Sequence, residues 1–272
     1  MNRRVACFLV VATALAATAA AIEAPLPRHP APSPDGSQIA FSWQGDLWLV
    51  PAQGGPATRL TAHPAVERFP VWSRDGTLIA FASNRHGNND VFVMPVDRSA
   101  GPTRLTFSST GDAPQCFSPD GKSVLFTSHR YEGVSRGLQL WTVSTSGGTP
   151  AIAQDAFVLN AAYSPDGETL AFVRGGTPWT RRGYRGSGSR NLWLRTPNGD
   201  YTQLTDFEGD DDQPSWLDDG TLAFLSSRGG RKNVYRIDIA NGTATQLRCH
   251  DGSAGRVPSG SADGRLIADV FD

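Results

Sequence analysis

The chain is built of short runs in which apolar and polar residues alternate. Runs such as 138–142 (LQLWT) and 202–205 (TQLT) follow a period of two residues, which is typical of β-strands with one buried face. The 3.6-residue period of a helical repeat does not appear in these runs. Gly, Pro, Asp and Ser residues separate them, and these residues favour turns. The pattern therefore predicts an all-β chain.

One turn sequence, Ser-Pro-Asp-Gly or a close variant, recurs six times. An apolar strand such as Ile39-Ala40-Phe41 follows each copy. Proline presets the first torsion of such a turn, aspartate bonds to its own backbone, and glycine accepts a positive φ. Each copy therefore predicts a hairpin between two antiparallel strands. The repeated aspartates are Asp35, Asp75, Asp120, Asp166, Asp219 and Asp263.

Two further strands complete most units. A run of the Asp-Leu-Trp type, such as 46–50, precedes a turn and a run of the Arg-Leu-Thr type, such as 58–61. Four antiparallel strands in roughly 45 residues, repeated along the chain, are typical of a β-propeller blade. A β-sandwich would not repeat one turn motif six times, and a helical solenoid would show a helical period. The repeats therefore favour a propeller.

Five units are complete, whereas the sixth has only two strands. We therefore predict a propeller of four-stranded antiparallel blades over residues 22–272, of the six-bladed type, with the sixth blade incomplete. The missing strands indicate a fragment of a longer protein, and the last strand is expected to fray or self-associate. The predicted blades span residues 31–61, 68–106, 113–154, 160–205 and 213–248, with a partial blade at 257–272.

Residues 1–21 have the pattern of a secretory signal peptide. Arg3 and Arg4 precede an apolar stretch at 5–21 that ends in small residues. A membrane anchor is the alternative, but this stretch is short for a span and rich in Ala and Thr. We expect cleavage near Ala21, export to the periplasm or the extracellular space, and no membrane span afterwards.

The cysteines, histidines and serines indicate no metal site and no nucleophile. Cys7 leaves with the signal peptide, and Cys116 and Cys249 lie two repeats apart, so both are expected to be free. The five histidines are dispersed, and no serine lies in a Gly-x-Ser-x-Gly elbow. A net charge of −1 argues against nucleic-acid binding, and 39% hydrophobic residues argue against disorder. We expect no cofactor.

The repeated S-P-D-G, I-A-F, D-L-W and R-L-T pattern resembles the TolB-like and WD40-like (PD40) propellers. The segment 175–187 (GGTPWTRRGYRGS) resembles the blade-four insertion of the amino-terminal six-bladed propeller of the tricorn protease family. This resemblance implies an axial passage for peptides and a surface for assembly. It also implies that the PDZ and serine peptidase domains of that family lie outside this chain, so no catalytic residue is assigned.

The blade-four insertion is the candidate peptide- or partner-binding site. Its arginines could hold a terminal carboxylate, because guanidinium groups bind carboxylates in bidentate geometry and stack on aromatic rings. In the alternative, arginines of this region pair with the acidic run at 206–212. That run could bind Ca²⁺, but its spacing favours a solvated loop. Turn chemistry explains the polar stretch at 85–90. The candidate residues are Trp179, Arg181, Arg182, Tyr184 and Arg185.

Three functions are compatible with these observations. The favoured one is a non-catalytic, exported propeller derived from a tricorn-like peptidase, which binds peptides or partner proteins. Its partners would include peptidase domains or further copies of the chain. The first alternative is a free-standing TolB-like scaffold that binds proteins of the periplasm. The second is a propeller enzyme with an axial metal, which the dispersed histidines do not favour.

Overall fold

The computed structural model describes residues 27–130, 137–176, 184–247, 256–260 and 267–270. These residues form 22 strands and no helix. The strands make five four-stranded sheets and one two-stranded sheet, and neighbouring strands are antiparallel. The prediction of an all-β propeller of small antiparallel sheets is confirmed.

Each four-stranded sheet is a blade whose strands are arranged in chain order. Blade one contains β1 (Arg28–Pro32), β2 (Gln38–Trp43), β3 (Asp46–Pro51) and β4 (Thr58–Arg59). Blade two contains β5 (Glu67–Trp72), β6 (Leu78–Ser83), β7 (Asp90–Pro95) and β8 (Thr103–Arg104). Blade three contains β9 (Asp112–Phe117), β10 (Ser123–Ser128), β11 (Gln139–Ser144) and β12 (Ala151–Phe157).

The remaining sheets follow in the same way. Blade four contains β13 (Ala161–Tyr163), β14 (Leu170–Arg174), β15 (Asn191–Arg195) and β16 (Tyr201–Gln203). Blade five contains β17 (Asp211–Asp218), β18 (Thr221–Ser226), β19 (Asn233–Asp238) and β20 (Ala244–Gln246). The two-stranded sheet contains β21 (Arg256–Gly260) and β22 (Ile267–Val270).

A serine and an aspartate build the first hairpin turn of blades one to four. In blade two, the Ser73 hydroxyl donates to Asp75 Oδ1 at 2.6 Å, and the Leu78 N–H donates to the same hydroxyl at 2.8 Å. Gly76 reverses the chain with a φ of 72°, which glycine adopts without steric cost. The equivalent pairs are Ser33 with Asp35, Ser118 with Asp120, and Ser164 with Asp166.

The first turn of blade five differs because Leu217 stands where the other turns have serine. Its Gly220 N–H donates to Asp218 Oδ1 at 2.8 Å. The repeated aspartate, Asp219, instead accepts a hydrogen bond from the backbone N–H of Asp166 at 2.8 Å. The motif of blade five thus connects the turns of blades four and five.

The Arg-Leu-Thr run fastens the fourth strand to the third. In blade one, the Leu47 N–H donates to the Thr61 hydroxyl at 2.9 Å, and Arg59 forms a 2.5 Å ion pair with Asp46. These contacts explain why the Asp-Leu-Trp and Arg-Leu-Thr runs occur together. Blade two repeats both contacts through Thr106 with Val91 and Arg104 with Asp90, and blade four repeats the first through Thr205 with Leu192.

The hydrophobic core lies between neighbouring blades. The cluster between blades one and two, for example, combines Ala31 and Leu47 with Phe81 and Phe92. The first strands of successive blades contact one another in chain order, and β21 contacts both β17 and β1. The first strands therefore form the inner ring of the propeller. Four second-strand phenylalanines are completely buried between the blades: Phe81, Phe126, Phe172 and Phe224.

The expected six-bladed type requires a correction, because the structure has five blades. The sixth sequence unit contributes only β21 and β22 among the described residues, and two strands do not make the four-stranded sheet of a blade. This small sheet nevertheless lies between blade one and blade five, where it contacts both inner strands. The described part of the chain thus forms five blades and a two-stranded closing sheet.

Candidate functional site

The two faces of the ring carry different loops. Because the strands of a blade are antiparallel, the inner strands begin on the same face as the loops between second and third strands. We call this the upper face. The hairpin turns between first and second strands, and between third and fourth strands, lie on the opposite, lower face. The blade-four insertion follows β14 and therefore belongs to the upper face.

Buried acid–arginine pairs recur on the upper face. In three blades the acid occupies the start of the inner strand, and its side chain is fully buried. The arginine lies in the loop after the second strand, and in blade five Arg228 Nη2 is 2.7 Å from Asp211 Oδ2. The pairs are Glu67 with Arg85, Asp112 with Arg130, and Asp211 with Arg228.

The same arginines stack on aromatic rings of their blades. The Arg130 guanidinium carbon lies 4.8 Å from the Phe126 ring centroid and 5.3 Å from that of Trp141. Burial raises the pKa of Asp211, while its hydrogen bond with Ser226 and the charge of Arg228 oppose the rise. These arginines are therefore held in place by both an ion pair and a ring. The first role of these arginines is structural. Turn chemistry alone therefore does not explain why the polar stretch at 85–90 begins with an arginine, because Arg85 forms one of the buried ion pairs.

The described part of the blade-four insertion is fastened to the loop before β17. The Gly186 N–H donates to the Glu208 carbonyl at 3.1 Å, and the Arg190 N–H donates to Asp210 Oδ1 at 3.3 Å. The Arg190 side chain forms an ion pair with Asp212. The alternative of structural pairing with the acidic run therefore holds for Arg190. The run also has a structural use, because Asp211 and Asp212 are buried.

The five candidate binding residues are only partly within the described structure. Trp179, Arg181 and Arg182 lie outside the described residues. Tyr184 is half-buried, and its hydroxyl accepts a hydrogen bond from the Gly188 N–H at 3.3 Å. Arg185 is exposed on the upper face. Their role in binding peptides or partners stays a prediction.

A group of inner-strand residues at the centre of the ring lies outside the set of candidates predicted from the sequence. His29, Phe69 and Gln213 have φ angles of 52°, 56° and 53°, which non-glycine residues rarely adopt. Each lies at an irregularity in the pairing of its inner strand with the second strand. Bulges of this kind redirect side chains, and strained residues are frequent at binding sites. A proline directly follows each of the three, and this was the available sequence signal.

Two of these strained residues contact each other across a blade boundary. The His29 and Phe69 rings have centroids 4.2 Å apart and planes inclined by 56°. His29 Nδ1 also lies 3.4 Å from the Ser42 hydroxyl. Both side chains are half-buried, so they keep an accessible surface beside the ring centre. The pair forms an aromatic platform suited to apolar side chains and to peptide groups.

Within the described residues, no three His, Cys, Asp or Glu side chains are grouped closely enough to hold a metal ion. Cys116 is a free thiol whose pKa burial raises to about 12, so it stays protonated and unreactive. Cys249 lies outside the described part of the chain. In that same part of the chain, no helix has the length and apolarity needed to cross a membrane.

The tricorn protease family includes the relatives most informative about this fold. The family described as the tricorn protease N-terminal beta propeller domain matches residues 25–268. Tricorn protease homolog 1 of Streptomyces coelicolor is 31% identical over 226 residues, which are 80% of this chain and 20% of that protein. This chain therefore spans about a fifth of the length of that relative. The crystal structure of the tricorn protease matches with a TM-score of 0.75 at 19% identity, over 90% of this chain and 24% of that chain.

A TolB protein is also similar in sequence, over a shorter stretch than the family match. Protein TolB homolog of Chlorobium luteolum is 28% identical over 172 residues, which are 61% of this chain and 35% of that protein. The family match, by contrast, extends from the start of blade one to the two-stranded closing sheet. The chain therefore belongs to the family of the tricorn protease N-terminal β-propeller domain.

Proposed function

We propose that this propeller binds extended polypeptide segments at the centre of its upper face and has no catalytic residue of its own. The observation that carries the proposal is the contact between His29 and Phe69, two strained residues held side by side on neighbouring inner strands. Backbone strain persists only where the surrounding structure enforces it, which favours a functional use of these side chains. A flat aromatic surface binds many peptide sequences because it requires no particular hydrogen-bond pattern.

The blade-four insertion would supply charge to the same binding face. Arg190 is engaged by Asp212, whereas Arg185 is exposed and available to a ligand. Together with Trp179, Arg181, Arg182 and Tyr184, it would hold the terminal carboxylate or acidic side chains of a bound peptide.

The whole protein is proposed to be an exported, tricorn-like peptidase of which this chain is the propeller. The pattern of residues 1–21 supports export, and the share of the Streptomyces relative that the chain spans supports a longer parent. An antibody raised against the propeller would detect the natural product in cell fractions. A band about the size of this chain, rather than one several times larger, would contradict the longer parent.

A peptide-binding measurement tests the site directly. A fluorescein-labelled, unstructured peptide is titrated with the protein, and fluorescence anisotropy gives Kd. Phe69→Asn removes the ring while asparagine tolerates the positive φ, so we expect at least a tenfold rise in Kd with an unchanged melting temperature. Phe107→Ala removes an aromatic ring that is 69% exposed away from the inner ring and should leave Kd unchanged. Equal affinities of wild type and Phe69→Asn would refute the proposal.

A TolB-like scaffold that binds a folded protein is the second candidate, and the similarity to the Chlorobium luteolum protein favours it. The two candidates differ in the ligand. The scaffold function is favoured by two results together. Unstructured peptides show no affinity for the propeller, and unlabelled peptides do not displace a folded partner that is bound to it.

A further inference from the structure

The lower face carries a cleft of about 520 Å³ between blades three and four. Its volume is in the range of small-molecule sites. One wall comes from the outer strand β12 of blade three, and the other from β13 and the β15–β16 turn of blade four. The residues that matter for its chemistry are Gln154, Tyr163, Arg195 and Thr196.

The floor of the cleft is rigid because two turns meet there. A Cβ atom added to Gly167 would lie 2.6 Å from Pro119 Cβ, so only glycine allows this close approach between the turns of blades three and four. Gly167 also has a φ of 82°. A preformed floor reduces the ordering that a ligand must impose when it binds.

Arg195 supplies positive charge to the cleft from a fixed position. Its Nη1 donates to the Ala153 carbonyl at 3.0 Å, and its Nη2 donates to the Tyr163 hydroxyl at 3.2 Å. A guanidinium group has five N–H donors, so further donors remain for an anion. The Tyr163 oxygen accepts from Arg195, which leaves its own O–H to donate. Glu168 is the other charged residue of the lining, and it is exposed at the rim.

Gln154 is the unusual feature of the cleft. It is 3% exposed, and neither its amide nitrogen nor its amide oxygen has a hydrogen-bond partner among the described residues. The Thr196 hydroxyl is likewise buried without a partner there. Buried polar groups are nearly always hydrogen-bonded, because leaving them unpaired costs free energy. A carboxamide offers a donor and an acceptor side by side, which is the complement of another amide.

We propose that this cleft binds a small carboxylate that carries an amide, the chemistry of the carboxyl-terminal end of a short peptide. Arg195 and Tyr163 bind the carboxylate, and Gln154 pairs with the neighbouring amide. The site lies on the face opposite the His29–Phe69 platform, and it does not depend on the function proposed for that platform.

Paired ligands test the carboxylate part of the proposal. N-acetylglycylglycine is titrated into the ¹⁵N-labelled protein, and its carboxamide analogue, which lacks the negative charge, is titrated in parallel. We expect the acid to bind at least tenfold more tightly and to shift the side-chain amide signal of Gln154. Equal affinities, or no saturable shift with the acid, would overturn the proposal. Phe69→Asn should bind the acid as wild type does, which separates this site from the upper face.

Matched glutamine variants test the amide part. Gln154→Leu removes the unpaired amide at similar volume, so we expect an unchanged or higher melting temperature together with at least tenfold weaker binding. Gln139→Leu is the control, because Gln139 is also buried with an unpaired amide oxygen but does not line the cleft. It should bind the acid normally. If Gln154→Leu binds the acid with wild-type affinity, or has a lower melting temperature than wild type, the Gln154 amide is not part of a ligand site.

Discussion

Four turn aspartates have pKa values below the ordinary value because serine hydroxyls donate to them. They are Asp35, Asp75, Asp120 and Asp166. A carboxylate whose folded-state pKa is lowered stabilises the fold above its unfolded-state pKa of about 3.9. That contribution is lost as the pH falls through the lowered value. The repeated turn therefore makes stability depend on pH in the acidic range.

Replacing the turn serine tests this dependence. In Ser73→Ala, the Asp75 carboxylate loses one of its donors, while the two donors from Thr77 remain, and the Leu78 N–H loses an acceptor. We expect the free energy of unfolding to fall by about 1 kcal/mol at neutral pH. The difference from wild type should narrow as the pH falls below about 4 and through the lowered pKa of Asp75, because a protonated carboxyl no longer gains from the Ser73 donor. Urea unfolding at several pH values measures this difference in the free energy of unfolding. Ser146→Ala, in a turn where serine bonds to serine rather than to aspartate, is the control; a pH-independent difference in Ser73→Ala would contradict the assignment.

The buried pair of Asp211 and Arg228 has the opposite dependence on pH. Arg228→Met leaves Asp211 buried without its cation, which should destabilise the fold by about 3 kcal/mol. Because burial raises the folded-state pKa of Asp211, the variant should regain stability as the pH falls from 7 towards 5. Denaturant unfolding across that range is the measurement. Adding Asp211→Asn should recover part of the loss at pH 7, and a double variant no more stable than Arg228→Met would argue against an ion-pair role.

At the scale of strands and blades, two tryptophans each join their own blade to the preceding one. Trp72 Nε1 donates to the Ala31 carbonyl at 2.8 Å, and Trp216 Nε1 donates to the Ala162 carbonyl at 2.9 Å. Trp72 ends its inner strand, Trp216 lies two residues before the end of its own, and both acceptors lie on the preceding inner strand. The aromatic residue before the turn motif therefore acts between blades as well as inside its own.

Removing one of these indole N–H groups should weaken a blade boundary. Trp72→Phe keeps most of the ring but leaves the Ala31 carbonyl without this donor, so we expect a loss of about 1 kcal/mol. Hydrogen exchange should increase in β1 and β5 more than in distant blades. Trp193→Phe is the matched control, because Trp193 packs against Arg174 through its ring face. Equal losses in the two variants would show that the inter-blade bond contributes nothing specific.

Strands and turns were predictable because their signals are local. Asp75 and Gly76 lie within the five residues of the turn that they form, so the whole motif can be recognised in the local sequence. The acid–arginine pairs were not predictable in that way. Arg85 and Arg130 each follow their acidic partner by 18 residues, and only the antiparallel blade brings the two together. The same 18-residue spacing between an acidic residue and an arginine occurs in both blades, and this repetition is the sequence signal for the pairs.

At the scale of the whole molecule, the repeats predicted the architecture but not the site. Repeated four-stranded units indicate a ring of blades because each unit buries its apolar side chains against the next unit. His29 and Phe69 are 40 residues apart in the chain and meet only when blades one and two are adjacent. The predicted six-bladed type was wrong, because the two strands predicted for the sixth unit form a separate two-stranded sheet beside five four-stranded blades in the described residues.

The two-stranded sheet is expected to hold the ring closed. β21 contacts the inner strands of blades one and five, so deleting residues 249–272 exposes the edges of β1 and β17. Exposed edges of this kind pair with other chains. We therefore expect the deletion to lower the melting temperature and to produce oligomers, measured by light scattering after size-exclusion chromatography. Deleting only 261–272 removes β22 but leaves β21 over both edges, and it should have the smaller effect. A monomer of unchanged melting temperature after the longer deletion would mean that five blades close the ring by themselves.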